Sequence, residues 1–229
     1  MRRRDNHRGL PTTDISATDS TVAEPTVTQP SGAEPTGVGG HTVLSAVELI
    51  LTEHATVVAR LTATIDADAT LTAMAEGLRA ADRVFVLGAG RSGLALRMTA
   101  MRLMHLGLTV HVVGDASTPA ITAADALLVA SGSGSTAGSV RAAETARSAG
   151  ATVLVLSTAA ESTLAGLADV SVIIPAAQKQ DHGGTLSAQY SGALFEQAVM
   201  IVGDALFHAL WQASGATADE LWPRHANLE

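Results

Sequence analysis

Two short loops hold most of the side chains that could do chemistry. The first reads Gly88-Ala89-Gly90-Arg91-Ser92-Gly93, the second Ser131-Gly132-Ser133-Gly134-Ser135-Thr136. Each follows a short apolar run and precedes a stretch of helical periodicity. A loop so placed lies at the carboxyl end of a strand and the amino end of a helix, where free N–H groups and the positive helix dipole face an anion. Glycines let the backbone approach phosphate oxygens, and Ser and Thr hydroxyls add hydrogen bonds. The first loop also matches G-x-G-x-x-G, and Asp115 lies near the end of the next apolar run, as in a dinucleotide-binding fingerprint. Ser92 and the Ser-rich second loop suit a compact phosphate monoester better than a pyrophosphate. The short third crossover leaves little room for a second mononucleotide half, and there is no separate substrate domain. Arg91 reads equally as a phosphate contact or as an ordinary exposed arginine.

A general base has one strong candidate. On a helix that starts near residue 191, Val199, Met200, Gly203 and Phe207 fall within about 60° of Glu196, while Gln197, Asp204 and His208 fall roughly 80–120° away. Glu196 therefore shares the apolar stripe. Desolvation raises a carboxyl pKa toward the range a base near neutrality needs, while a helix N-terminus pulls it down. The alternative is an N-terminal glutamate that only complements the dipole. His54 sits one turn after Ile50 and reads first as a core or interface histidine. His105 ends the helix after the first loop, where an imidazolium is favourable. Asp181 and His182 are adjacent, a poor metal site, and no His/Asp/Glu cluster has ligand spacing, so no metal is expected.

The elements that position these residues show in the periodicity. Continuous apolar runs at 84–87, 110–113, 126–130, 153–156 and 170–174 read as strands buried on both faces. Stretches 92–106, 136–149 and 162–167 read as helical crossovers, and the link at 114–125 is thin. This is βαβ grammar: an α/β, three-layer αβα domain with a five-stranded parallel sheet. Helices at 43–61 and 68–80 precede it, and a long helix over 191–211 follows, then a short tail. In the flavodoxin-like strand order 2-1-3-4-5, the first and third strands are neighbours at the switch point and the two loops flank one crevice.

Charge and composition exclude other classes. Fourteen basic against 22 acidic residues give a net charge of −8, wrong for non-specific nucleic-acid binding. The chain has no cysteine, so neither a disulfide scaffold nor a Cys-ligated metal is open to it. Residues 194–210 are the most apolar segment, but carry Glu196, Gln197, Asp204 and His208, too polar for a bilayer span. A soluble cytoplasmic protein is expected. Residues 1–40 hold four of the seven prolines and no apolar period, and read as a disordered tail ahead of one domain at 41–229.

The two loops together resemble the sugar-isomerase (SIS) domain, and other segments resemble its 6-phospho-3-hexuloisomerase family. These are Ala100-Met101-Arg102-Leu103-Met104-His105-Leu106-Gly107, Ile174-Pro175-Ala176-Ala177, Gly192-Ala193-Leu194-Phe195-Glu196 and Arg224-His225-Ala226-Asn227-Leu228-Glu229. The resemblance implies interconversion of D-arabino-hex-3-ulose 6-phosphate and fructose 6-phosphate through a cis-enediol, in the ribulose monophosphate pathway after hexulose-phosphate synthase. It implies a homotetramer, no cofactor, and neither a nucleic-acid nor a membrane partner. Ser92, Ser131, Ser133 and Thr136 would hold the phosphate and Glu196 would be the base. His54 and His225 would be further catalytic groups that reach a neighbour's site, and Gly90, Arg91 and Gln189 would line the substrate. Two departures stand out: Ser135 replaces a usual Glu, and Tyr190-Ser191 replaces a usual Pro-Met ahead of Gly192. Isomerases of arabinose 5-phosphate or a heptose phosphate share the superfamily motifs, as do sugar-phosphate sensors. A sensor would need a helix-turn-helix segment, which residues 1–40 do not spell.

Overall fold

The structure, a computed structural model, describes residues 42–178 and 186–228. The tail reading for 1–40, the Asp181-His182 pair and Glu229 lie outside the described residues. By its internal contacts the chain divides at residue 42, and all the elements below belong to the unit Val43–Glu229.

Helices α1 (Val43–Thr62) and α2 (Ala67–Ala80) lead into β1 (Arg83–Gly88) and α3 (Arg91–His105). Then come β2 (Thr109–Val112), β3 (Ala126–Ala130), α4 (Ala137–Ser148), β4 (Thr152–Ser157), α5 (Thr163–Leu167) and β5 (Val170–Ile173). The sheet is parallel throughout, in the order β2-β1-β3-β4-β5. Val-rich runs make these strands because alternate residues meet different helical layers and both sets must be apolar. Val84, Val86, Leu128, Leu154 and Leu156 pack in the core with α2, α3 and the long helix α6 (Ala193–Ser214). Phe85, Leu127, Val129, Val153 and Val155 pack on the other face with α4 and α5. The expected layers and strand order are those observed.

The differences are local. The helix expected from 191 starts at Ala193, because Ser191 and Gly192 both hold left-handed backbone, φ 54 and 76. At its other end Gly215, φ 68, stops it. By length and composition α6 could cross a bilayer, yet more than half of it is buried inside the domain, so its apolarity serves the core. The short tail becomes α7 (Ala218–Leu221), started by a Thr217/Glu220 capping box, and a 3-10 turn at Trp222–Arg224. The thin link between β2 and β3 is held by the buried Asp125. Its carboxylate accepts from Arg83 Nε and Nη2 (2.8 and 2.6 Å) and from the Thr122 N–H and hydroxyl (2.6 and 2.8 Å). Helix α1 buries only Val57, leaving Val43, Leu44, Val47, Leu51 and Val58 exposed.

Candidate active site

The first loop turns between β1 and α3 at close quarters. A Cβ on Gly93 would lie 2.3 Å from the Gly88 carbonyl oxygen, so only glycine lets α3 begin this near the strand. The second loop folds on itself between β3 and α4. Gly134 N–H donates to the Ser131 carbonyl (3.0 Å), and the Ser131 and Thr136 hydroxyls bond each other (2.9 Å). Gly134 has φ 61, and a Cβ there would strike the Ser162 hydroxyl at 2.0 Å. Ser135, one of the departures, bonds Ser133: its N–H and its hydroxyl both reach the Ser133 oxygen (3.3 and 3.1 Å).

These loops enclose one cavity of about 180 Å³. The hydroxyl residues Ser92, Ser131, Ser133 and Thr136 line it, Phe195 forms an apolar wall, and Gln178 and Gly192 complete the lining. α3 and α4 both begin beside it, bringing unpaired first-turn N–H groups and two positive dipole ends. Hydroxyls, amides and dipoles with no carboxylate among the lining residues suit a compact dianion. All four residues expected at the phosphate are brought together.

Glu196 is buried, 5% exposed, as its place on the apolar stripe requires. Its partner was not expected: Arg91 Nε donates to Glu196 Oε2. The arginine side chain is 63% exposed and the glutamate's 4%, so the guanidinium is the accessible half of the pair. The two line a second depression between α3 and α6, of about 220 Å³, with Leu94, Met98, Gln197 and Met200. Adjacent residues thus serve adjacent hollows. On α3, Ser92 lines the hydroxyl cavity and Arg91 the carboxylate groove; on α6, Phe195 lines the first and Glu196 the second. About 100° of helical rotation separates neighbours in each pair, which is what splits them. Gly90, φ 59, caps α3 at the join.

The remaining candidates divide. His54 on α1 comes within reach of α6, with its Nε2 3.0 Å from Gln197 Oε1. Gln189 lies in the same place, but both ends of its amide are engaged by protein. Its oxygen accepts from Gln197 Nε2 (2.9 Å) and its nitrogen donates to Glu53 Oε2 (2.8 Å). Each end of the amide thus has one partner inside the protein, leaving a second N–H and a second lone pair for the expected substrate contact. His225 is not brought to Glu196 within this chain. It stacks on His105 at the far end of α3, centroids 5.2 Å apart, and against Trp222 at 5.0 Å. Nor is His105 a favoured imidazolium: burial pushes its pKa down, and the charges of His225 and Arg102 add to that.

Three residues escaped sequence reasoning: Gln178, Gln197 and Glu53. Gln178 follows the Ile-Pro-Ala-Ala segment directly, and Gln197 follows the candidate base; adjacency was the only signal. Glu53 gave none. Among the described residues, no group of three or more His, Asp or Glu is arranged to hold a metal ion.

Comparison with known proteins bears on this geometry. The family model described as the SIS domain matches residues 77–201. The chain is 64% identical to the 3-hexulose-6-phosphate isomerase of Mycobacterium gastri over 147 residues, 64% of this chain and 74% of that protein. It is 35% identical to the 3-hexulose-6-phosphate isomerase of Bacillus subtilis over 157 residues, 68% of this chain and 85% of that one. A crystal structure from Methanococcus jannaschii, said to infer a 3-hexulose-6-phosphate isomerase function, aligns with a TM-score of 0.69 at 23% identity. It covers 81% of this chain and 99% of that one, and at that identity the likeness is one of fold.

Proposed function

The chain belongs to the 6-phospho-3-hexuloisomerase family of SIS-domain proteins, and from that premise we propose how its residues interconvert D-arabino-hex-3-ulose 6-phosphate and fructose 6-phosphate. The observation that carries the reading is the adjacency of the two hollows. A hydroxyl-lined anion cavity adjoins a groove holding a buried carboxylate and its arginine.

Ser92, Ser131, Ser133 and Thr136 hold the substrate phosphate. It lies away from the reacting carbons, so its binding energy fixes the chain for proton transfer. Glu196 removes the C2 proton of the hexulose, giving a cis-enediol across C2 and C3. The same carboxyl returns the proton at C3, and the carbonyl then stands at C2. The hydroxyl proton leaves O2 and a proton arrives at O3. Arg91, already on Glu196, offers its remaining N–H groups to the oxygen that carries negative charge in the enediolate. The hexulose cannot close a five-membered ring because O6 is esterified. Furanose fructose 6-phosphate must open, and His54 is the candidate for that proton.

The reading places the enzyme in the cytoplasm, downstream of hexulose-phosphate synthase in the ribulose monophosphate pathway. It also makes it a homotetramer, which is supported by the exposed apolar residues Val47, Leu51 and Val58 on α1 and Leu94, Met98 and Met101 on α3. The test is a coupled assay. Synthase, formaldehyde and ribulose 5-phosphate generate the hexulose phosphate, and fructose 6-phosphate is read as NADPH through phosphoglucose isomerase and glucose-6-phosphate dehydrogenase. NADPH formation that depends on this protein is expected. Its absence, with a phosphosugar still bound, would overturn the assignment and point to the Tyr190-Ser191 departure.

A further inference from the structure

Glu53, Gln189, Gln197 and His54 form a chain of hydrogen bonds whose direction has one consistent solution. The distances are 2.8 Å from Gln189 Nε2 to Glu53 Oε2, 2.9 Å from Gln197 Nε2 to Gln189 Oε1 and 3.0 Å from His54 Nε2 to Gln197 Oε1. An ionised carboxylate only accepts. Gln189 must therefore turn its NH2 to Glu53 and its oxygen to Gln197. Gln197 must then turn its NH2 to Gln189 and its oxygen to His54. An oxygen there requires a donor, so His54 carries its proton on Nε2. Flipping both amides together would set the Gln189 oxygen against the Glu53 carboxylate, acceptor against acceptor.

The carboxylate itself is held firmly. Its Oε2 also accepts from the Ser187 hydroxyl (2.7 Å) and its Oε1 from the Ala188 N–H (2.6 Å). Burial raises the Glu53 pKa and the bonds from Gln189, Ser187 and Ala188 lower it, leaving it below the ordinary value. The anion is the form present near neutrality. The chain spans three separate pieces: α1, the 186–190 segment, and α6 one residue past the candidate base.

We propose that Glu53 is a positioning residue which, acting through Gln189 and Gln197, sets His54 as the Nε2–H tautomer and so leaves Nδ1 as the ring's proton acceptor. The tautomer follows from the chain alone. Its use in moving protons on the sugar rests on the isomerase reading.

Glu53→Gln gives a sharp test. The Ala188 N–H cannot flip, so it holds the new side-chain oxygen at the Oε1 position and puts NH2 where Oε2 was. The Ser187 hydroxyl turns to accept. Gln189 and Gln197 then reverse, and His54 is offered an NH2, which demands a bare Nε2. In protein labelled with 15N-histidine, long-range 1H–15N correlation above the ordinary imidazole pKa reads the tautomer, with His54→Asn identifying the signal among eight histidines. The expected result is Nε2–H in the wild type and Nδ1–H in Glu53→Gln, with kcat lower by about tenfold or more and KM little changed. The same tautomer in both proteins, or Nδ1–H in the wild type, overturns the proposal. Reversal with kcat unchanged overturns the positioning role. Should Glu53→Gln fail to fold, Gln197→Met cuts the chain without touching Glu53; the Nε2–H population is expected to fall there from the wild-type level toward the mixture of a free imidazole, and a population undiminished from the wild type overturns the proposal equally. Wild-type protein without isomerase turnover would instead overturn the functional reading, with the tautomer result standing.

Discussion

The hydroxyl cavity and the carboxylate groove beside it are built in opposite ways. Three of the cavity's four hydroxyl residues, Ser131, Ser133 and Thr136, lie within six residues of chain, and two of them bond each other. Glycines at 93 and 134 set the close approaches, and strand ends supply the position. The groove, and the hydrogen-bond chain that meets it at Gln197, are assembled from afar. Arg91 meets Glu196 across 105 residues, His54 meets Gln197 across 143, and Gln189 meets Glu53 across 136. A binding site for a small anion needs amides, hydroxyls and a helix start, which a short loop supplies. Proton handling needs opposed donors and acceptors, and those come from different elements.

The contrast predicts a split in kinetics. Glu196→Gln keeps the shape of the groove and removes the base, so kcat should fall by about a thousandfold or more while the phosphosugar still binds. Equilibrium binding beside the coupled assay checks this, and wild-type-like turnover would remove Glu196 as the base. Gly93→Ala drives a methyl into the Gly88 carbonyl and should cost roughly 3 kcal/mol of stability, read by denaturant unfolding. An unperturbed midpoint would mean that the loop yields and the cavity is less rigid than its geometry requires.

Acid should act on neither region first. Arg83 bonding is the largest influence on Asp125 and, with the Thr122 bonds, lowers its carboxyl to about 2, against the burial that raises it. A depressed folded-state pKa gives stability that is complete above the unfolded value near 3.8 and is lost as pH falls toward 2. The loss should be on the order of 2 kcal/mol, and Asp125→Asn should remove that part of the acid slope in pH-dependent unfolding. An unchanged slope would deny the carboxylate its role in holding the β2–β3 link. The smallest effect is expected in the cavity: Ser133→Ala should raise KM about tenfold, for a lost charged hydrogen bond of roughly 1–2 kcal/mol, and leave kcat alone. If Ser133→Ala lowered kcat as Glu196→Gln does, the division between the regions would fail.

Much of this was legible in the residues. The five apolar runs became five strands, and the flavodoxin-like order 2-1-3-4-5 expected for them is the one observed. The two Gly/Ser loops meet because that order makes β1 and β3 neighbours. Glu196 is buried because Val199, Met200 and Gly203 share its helical face. The rest was not legible for particular reasons. His225 carried a family expectation, and within this chain the 3-10 turn at Trp222–Arg224 sets it beside His105, a placement the sequence did not signal. Gln189 carried an expected substrate contact, and its links to Glu53 and Gln197 had no signal in the sequence. Arg91 had two readings, and its partner belonged to neither.

By itself the sequence determined the strands, the helices, the loops that end them and the burial of Glu196, because period and glycine placement act over a few residues. Only the tertiary structure decided what Glu196 faces and which nitrogen of His54 holds the proton. Those depend on donors and acceptors more than 100 residues apart in the chain, and hydrogen-bond direction is settled by whichever acceptor-only group the packing brings to the end of the chain.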